Sequence, residues 1–304
     1  MSIFNGLSAF PITPTNEQGI VDTDGVSRLS AHLSSHGVHS IGLLGSTGGY
    51  AYLNRTERRR AVHAAATILK GRTPLIVGIG ALRTDDAQNL ARDAAEEGAD
   101  GLLLAPMSYA PLTEEEVYQH YAAVAKTTSL PLCVYNNPGT THFTFQHTLL
   151  ERLADIPTIA ALKMPTPTKE NIAQELAHLK QNATGRLTIG YSRDWLAPEA
   201  LLAGADGWFS VLGGFLPHIA LALTTTAQAG NTRNVEQYQR YLAPIWALFQ
   251  EHGSLKVAYA AANILGFTNA QPPLPILPLP QQDRQNLTYA LQNTATFHDS
   301  SSKA

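Results

Sequence analysis

Lys163 is a lysine surrounded by apolar neighbours, in the segment Ile159-Ala-Ala-Leu-Lys-Met-Pro165. The chain holds seven lysines, and the other six fall in helical, loop or terminal segments. Burial disfavours an ammonium and lowers its pKa, leaving a neutral amine able to attack a carbonyl carbon. That attack is the first step of Schiff-base catalysis. On this segment alone, a lysine that snorkels to solvent or pairs with an acid is an equal alternative. Tyr135 closes the preceding apolar run, Pro131–Pro138. Its phenol can relay a proton to and from a carbinolamine, although a strand-end tyrosine can also serve packing alone. Ser46 and Thr47 stand between glycines in Gly45-Ser-Thr-Gly-Gly49. Such a turn offers hydroxyls and free backbone N–H groups to a carboxylate. It can also serve as a phosphate loop, but it lacks the Gly-Lys-Ser/Thr end of the nucleotide-binding pattern.

The elements that must position these residues form a repeating series. Short apolar runs occur at Gly6–Thr13, Ser40–Gly45, Pro74–Gly80, Gly101–Pro106, Pro131–Pro138, Ile159–Pro165, Arg186–Tyr191 and Gly207–Gly213. Each is nearly continuous in Val, Ile, Leu or Ala, as parallel strands covered on both faces require. Between them lie amphipathic segments with helix signals: Val21–His36, Asn54–Lys70, Thr84–Glu97, Thr113–Lys126, Phe145–Leu153, Thr168–Leu179 and Asp194–Ala203. Thr113-Glu-Glu-Glu116 has the form of a capping box, and Gly98 is a stop signal. Eight β-then-α units in a row predict a (β/α)8 TIM barrel over residues 1–214. Beyond it, Leu216–Ala229, Val235–Glu251, Leu255–Leu265 and Gln281–Asn293 predict a C-terminal helical extension over 215–296, then a flexible tail, 297–304. The proline-rich segment Gln271–Pro280 cannot be helical and reads as an extended surface strap rather than a ligand for a recognition module.

In such a barrel the active site lies at the C-terminal ends of the strands. Those ends gather Lys163, Tyr135 and Ser46 as catalytic candidates. The substrate-contact candidates are Ser46, Thr47, Ser108, Tyr109, Thr140, Tyr191, Arg193 and Phe209.

Composition excludes other classes. The chain has 304 residues, 44% hydrophobic and 15% charged, which rules out a disordered or collagen-like protein. A net charge of −3 without a basic block argues against nucleic-acid binding. One cysteine, Cys133, permits no intrachain disulfide, and it reads as a small apolar strand residue rather than a nucleophile. Neither a signal-peptide pattern nor a membrane-length apolar run is present, so a cytoplasmic enzyme with no membrane partner is expected. His32 and His36 have i, i+4 spacing but no HExxH pattern, and no metal is expected. Arg58-Arg59-Arg60 reads as a solvated helix face.

Taken in order, GSTGG after the second strand, YNNPG at the fifth and ALKMP at the sixth resemble the Schiff-base class I aldolases of the dihydrodipicolinate synthase and N-acetylneuraminate lyase family. The likeness runs from about Gly6 to the C-terminal helices. It implies that Lys163 forms an imine with pyruvate or another 2-oxo acid, that Tyr135 shuttles protons, and that Ser46 and Thr47 hold the carboxylate. It also implies no metal or organic cofactor and a homo-oligomer, tetramer or dimer. Three departures bear on the second substrate. Gly49 replaces a usual glutamate, and Thr140 replaces the arginine of true dihydrodipicolinate synthases. Ser108, with Tyr109 next to it, occupies the place of a tyrosine that reaches across a subunit interface. Losing the arginine removes a bidentate carboxylate contact. Arg193 is a candidate replacement cation, while Thr140, Thr141 and His142 suit a hydroxylated chain. The expected function is therefore a lyase making or breaking a C–C bond through a lysine imine. The alternatives are a dehydratase of a 2-oxo-3-deoxy sugar acid, dihydrodipicolinate synthase itself, a non-catalytic 2-oxo acid sensor, and a phosphate- or flavin-binding barrel.

Overall fold

The computed structural model describes residues 2–182 and 186–301. Eight parallel strands close into a barrel in chain order: β1 (Gly6–Ala9), β2 (Ser40–Leu43), β3 (Leu75–Gly78), β4 (Gly101–Leu104), β5 (Leu132–Tyr135), β6 (Ile159–Pro165), β7 (Thr188–Ser192) and β8 (Gly207–Ser210). Around them lie α1 (Thr23–Ser35), α2 (Arg55–Leu69), α3 (Thr84–Glu96), α4 (Glu114–Ala125), α5 (Pro138–Thr141), α6 (His147–Ala154), α7 (Ile172–Asn182), α8 (Ala197–Leu202) and α9 (Pro217–Gln228). Three more helices follow, α10 (Thr232–His252), α11 (Ser254–Ile264) and α12 (Gln281–Ser301). The architecture is the expected (β/α)8 barrel with C-terminal helices.

Local chemistry sets the helix starts. Asp22 accepts from the Gly25 N–H at 2.9 Å to begin α1, and Asn54 accepts from Glu57 N–H at 3.0 Å to begin α2. Before α4 the capping box forms as read: Glu116 N–H donates to Thr113 Oγ1 at 3.3 Å, and Thr113 N–H donates to the Glu116 carboxylate at 2.7 Å.

Because side chains alternate along a strand, each strand divides its residues between two cores. Phe4, Phe10, Ile76, Leu103, Ala105, Cys133, Tyr135, Ala161 and Phe209 pack together inside the barrel. Val134, Leu162, Ile189 and Tyr191 belong instead to the larger layer between the barrel and its helices. In register, Tyr135 stands beside Lys163 and Lys163 beside Gly190, so lysine and tyrosine point inward at one level.

Three boundaries differ from the sequence reading. The helix α9 packs on β1 and α8, so the eighth β/α unit is completed beyond residue 214 and only α10–α12 lie outside it. A last strand needs its own helix to cover its outer face, which is why the barrel cannot end at the strand. The backbone of α12 runs through Ser301, so residues 297–301 of the expected tail are helical, and 302–304 lie outside the described residues. The fifth strand stops at Tyr135, short of the apolar run that reaches Pro138, and a one-turn helix, α5, begins at that proline.

The proline-rich segment is a strap: Leu279 is buried in the outer core while Leu274 and Leu277 face solvent. Among the described residues, no helix is long and apolar enough to cross a membrane.

Candidate active site

The Lys163 side chain is 4% exposed and ends inside an aromatic box. Its Nζ lies 3.7 Å from the centre of the Phe10 ring, 4.1 Å from that of Tyr135 and 5.5 Å from that of Phe209. Glycines make room for those rings. A Cβ on Gly42 would stand 2.2 Å from the Phe10 ring, and one on Gly190 would stand 2.4 Å from the Phe209 ring. No carboxylate among the described residues lies within ion-pair distance of Nζ. Burial holds the Lys163 pKa down to about 7, opposed by Cys133 and Asp194. An amine in that range is substantially neutral near physiological pH and so available as a nucleophile. The snorkelling and ion-paired alternatives do not describe this geometry.

Tyr135 presents its hydroxyl beyond the lysine. Ser46 Oγ lies 3.3 Å from it, and Asn137 Nδ2 donates to it at 3.0 Å and to Ser46 Oγ at 3.3 Å. Burial raises the Tyr135 phenol to about 12, while its bonds to Ser46 and Asn137 pull it back. The turn that carries Ser46 is tightly built: Leu44 and Gly49 both have positive φ, 57° and 65°. A Cβ on Gly45 would stand 2.6 Å from Phe10. Thr47 is buried in the same turn.

The remaining candidates divide. Phe209 belongs to the aromatic box. Ser108 is half-buried on the loop after β4, and Tyr109 is 98% exposed, extending away from the chain. The exposed Thr140 turns its hydroxyl back to the Asn137 carbonyl at 3.4 Å, as Thr141 does at 3.0 Å. Tyr191 does not line the barrel mouth. It alternates outward, and its hydroxyl meets Glu175 of α7 at 3.4 Å. Arg193 is likewise drawn outward, donating to the Thr166 carbonyl at 2.9 Å. Side-chain alternation along β7 explains the first, since the inward place at that level is taken by Gly190.

Four residues outside those candidates build the site. Phe10 and Asn137 contact the lysine and the tyrosine, as described. Arg58 is 5% exposed, not part of a solvated face: it donates to the carbonyls of Gly80 at 3.0 Å and Gly78 at 2.8 Å, tying α2 to the end of β3. Burial lowers its pKa to about 10. Asp194 is a buried carboxylate accepting from Trp208 Nε1 at 2.7 Å and from Val211 and Leu212 N–H, each at 2.9 Å. It holds the turn after β8 in place, and burial raises its pKa to about 6 against those bonds. The sequence signal for Asp194 was a charged side chain beside a strand end, whereas Arg58 stood in a run of arginines that reads as solvated.

An inward lysine at the sixth strand end of a closed (β/α)8 barrel, next to a tyrosine on the fifth, defines a lyase of the class I aldolase type. The chain belongs to the Dihydrodipicolinate synthetase family, which it matches over residues 3–294. It is 30% identical to 4-hydroxy-tetrahydrodipicolinate synthase of Alkalilimnicola ehrlichii, over 95% of this chain and 98% of that relative. A crystal structure of dihydrodipicolinate synthase from Agrobacterium tumefaciens superposes with a TM-score of 0.94 at 56% identity, covering 96% of this chain and 98% of the other. The dihydrodipicolinate synthase of Acinetobacter baumannii, described as complexed with pyruvate, superposes with a TM-score of 0.87 at 29% identity, over 97% and 99% of the two chains.

Proposed function

We propose that Lys163 condenses with the carbonyl carbon of pyruvate or a related 2-oxo acid, and that the resulting imine makes or breaks a C–C bond. One observation carries this reading: the lysine is buried against three aromatic rings, with no acid among the described residues paired to it. The neutral amine adds to the carbonyl, and Tyr135 delivers a proton to the departing hydroxyl, so water leaves and a protonated imine remains. That imine is an electron sink. Loss of a proton from the adjacent carbon gives an enamine, which attacks an aldehyde; in reverse, cleavage releases one. Ser46 and Thr47 hold the 2-oxo acid's carboxylate. Hydrolysis of the imine returns the free amine, and no metal or organic cofactor enters the cycle.

The acceptor end supports a hydroxylated partner over one with a second carboxylate. Thr140 stands where the synthases have arginine, and Arg193 is bonded to the Thr166 carbonyl rather than aimed at the lysine. The same hydroxyl-rich rim supports a second reading, elimination of water from a 2-oxo-3-deoxy sugar acid through the same imine. We also propose that the chain is a cytoplasmic homo-oligomer, with the exposed Tyr109 covered by a second copy.

Incubation with pyruvate and borohydride followed by mass spectrometry tests the imine. A reduced adduct on Lys163, absent in Lys163→Ala, is the expected result; turnover retained by Lys163→Ala would refute the mechanism. A panel of aldehydes with and without carboxylates, scored for C–C bond formation or water loss, separates the reactions.

A further inference from the structure

The hydrogen bonds at the end of β5 give a role to a residue outside the lysine–tyrosine pair. We propose that Asn137 is a positioning residue that holds Tyr135 and Ser46 in one closed triad and stabilises the phenolate formed when Tyr135 gives up its proton. This inference rests on the lysine-imine reading.

Three distances define the triad. Asn137 Nδ2 lies 3.0 Å from the Tyr135 hydroxyl and 3.3 Å from Ser46 Oγ, and those two oxygens lie 3.3 Å apart. Hydrogen counting then sets the direction of the relay. The amide nitrogen carries two hydrogens and accepts none, so it donates to both oxygens. The phenol oxygen receives a hydrogen from Asn137, which leaves its own proton directed at Ser46 or at substrate. Once that proton has gone to the carbinolamine oxygen, the phenolate faces two donors, the Asn137 amide and the Ser46 hydroxyl. Without Asn137 only one remains, in a pocket whose burial opposes the phenolate.

The backbone of Asn137 is correspondingly well held. Its carbonyl accepts from the N–H groups of Thr140 and Thr141, each at 3.0 Å, and from Thr141 Oγ1 at 3.0 Å. Pro138 follows at the first position of α5 and bars the helix from starting earlier. The Pro-Gly-Thr-Thr turn thereby braces the residue that carries the amide.

The test compares wild type with Asn137→Leu, which removes both donors at similar size, and Asn137→Asp, which offers only acceptors and a like charge. The rate of borohydride-trapped adduct formation on Lys163 with pyruvate is followed from pH 6 to 10. Both variants should still form the adduct, with little change in the pyruvate concentration needed for half-maximal rate. Formation should be roughly 10- to 100-fold slower, the loss of one hydrogen bond to a charged group, and Asp should be at least as impaired as Leu. The loss should be the same at every pH in this range, because Tyr135, raised by burial to about 12, stays protonated throughout it, whereas mere loosening of the turn that holds Ser46 would raise the pyruvate concentration needed for half-maximal rate. Should Leu not fold, as judged by circular dichroism, Asn137→Ser takes its place. Variants with the wild-type rate and profile would overturn the inference, as would wild-type behaviour of Asp alone, which would mean that the amide presents its oxygen. A wild type that forms no adduct with any 2-oxo acid overturns the imine reading as well, whereas an adduct with unchanged variants overturns only the role of Asn137.

Discussion

Replacing Lys163 by methionine should abolish catalysis and stabilise the fold, by an amount that depends on pH in a calculable way. An exposed lysine in the unfolded chain titrates near 10.5, and burial lowers Lys163 to about 7 in the native state. Between those values the unfolded chain binds more protons than the native one, so native stability rises with pH across that window. Below pH 7 the native state carries the full penalty, about 5 kcal/mol from 3.5 pKa units at 1.36 kcal/mol each. The same linkage leaves a penalty of about 4 kcal/mol at pH 7 and about 2 at pH 9. Methionine fills a similar volume without a charge, so the variant should exceed wild type by about those amounts. Urea unfolding followed by far-ultraviolet circular dichroism, at one protein concentration and at pH 6, 7 and 9, gives the difference. Carboxylate and histidine titrations common to both proteins cancel in it. The ammonium's attraction to the Phe10 and Tyr135 rings offsets part of the penalty, so the decline with pH is more diagnostic than the absolute size. A stability difference that stays flat from pH 6 to 9 would refute the reasoning, since it would mean the lysine is not held neutral by burial.

Two further outcomes follow from packing at the same end of the barrel. Gly42→Ala should push the Phe10 ring off Lys163, because the new Cβ would stand 2.2 Å from it. Overpacking of this kind costs about 1–3 kcal/mol, and adduct formation should slow in parallel; urea midpoints and the borohydride assay check both effects. Arg58→Met should leave the Gly78 and Gly80 carbonyls buried without their donor. A loss of about 2–5 kcal/mol in urea unfolding is expected, where a surface arginine would cost almost nothing.

Much of the molecule was legible before any coordinates. The repeat of apolar run and amphipathic helix is a local property, and eight copies admit few closed arrangements. Capping signals were equally local, and Thr113 and Glu116 pair as their spacing implied. Lys163 and Tyr135 stood out because a charge and a phenol at the ends of continuous apolar strands conflict with their surroundings. The barrel end was harder to place, since nothing in the residues after β8 says which helix closes the ring.

Local pattern was enough to give the series of strands and helices and a lysine in the wall of a barrel. Which side chains meet across that barrel followed only from the folded chain. Tyr191 is near Lys163 in strand order, yet it faces outward, because adjacent residues of a strand point to opposite sides, and Arg193, just past the strand, is bonded to the Thr166 carbonyl. Phe10 lies more than 150 residues from Lys163 in the chain, yet its ring covers the amine, since glycines at 42 and 45 leave space for it. Arg58 shares a run of arginines, but helix geometry turns it alone into the core toward two strand carbonyls. Contacts of this kind depend on the register of strands that are distant in sequence, and pattern along one chain does not contain that register.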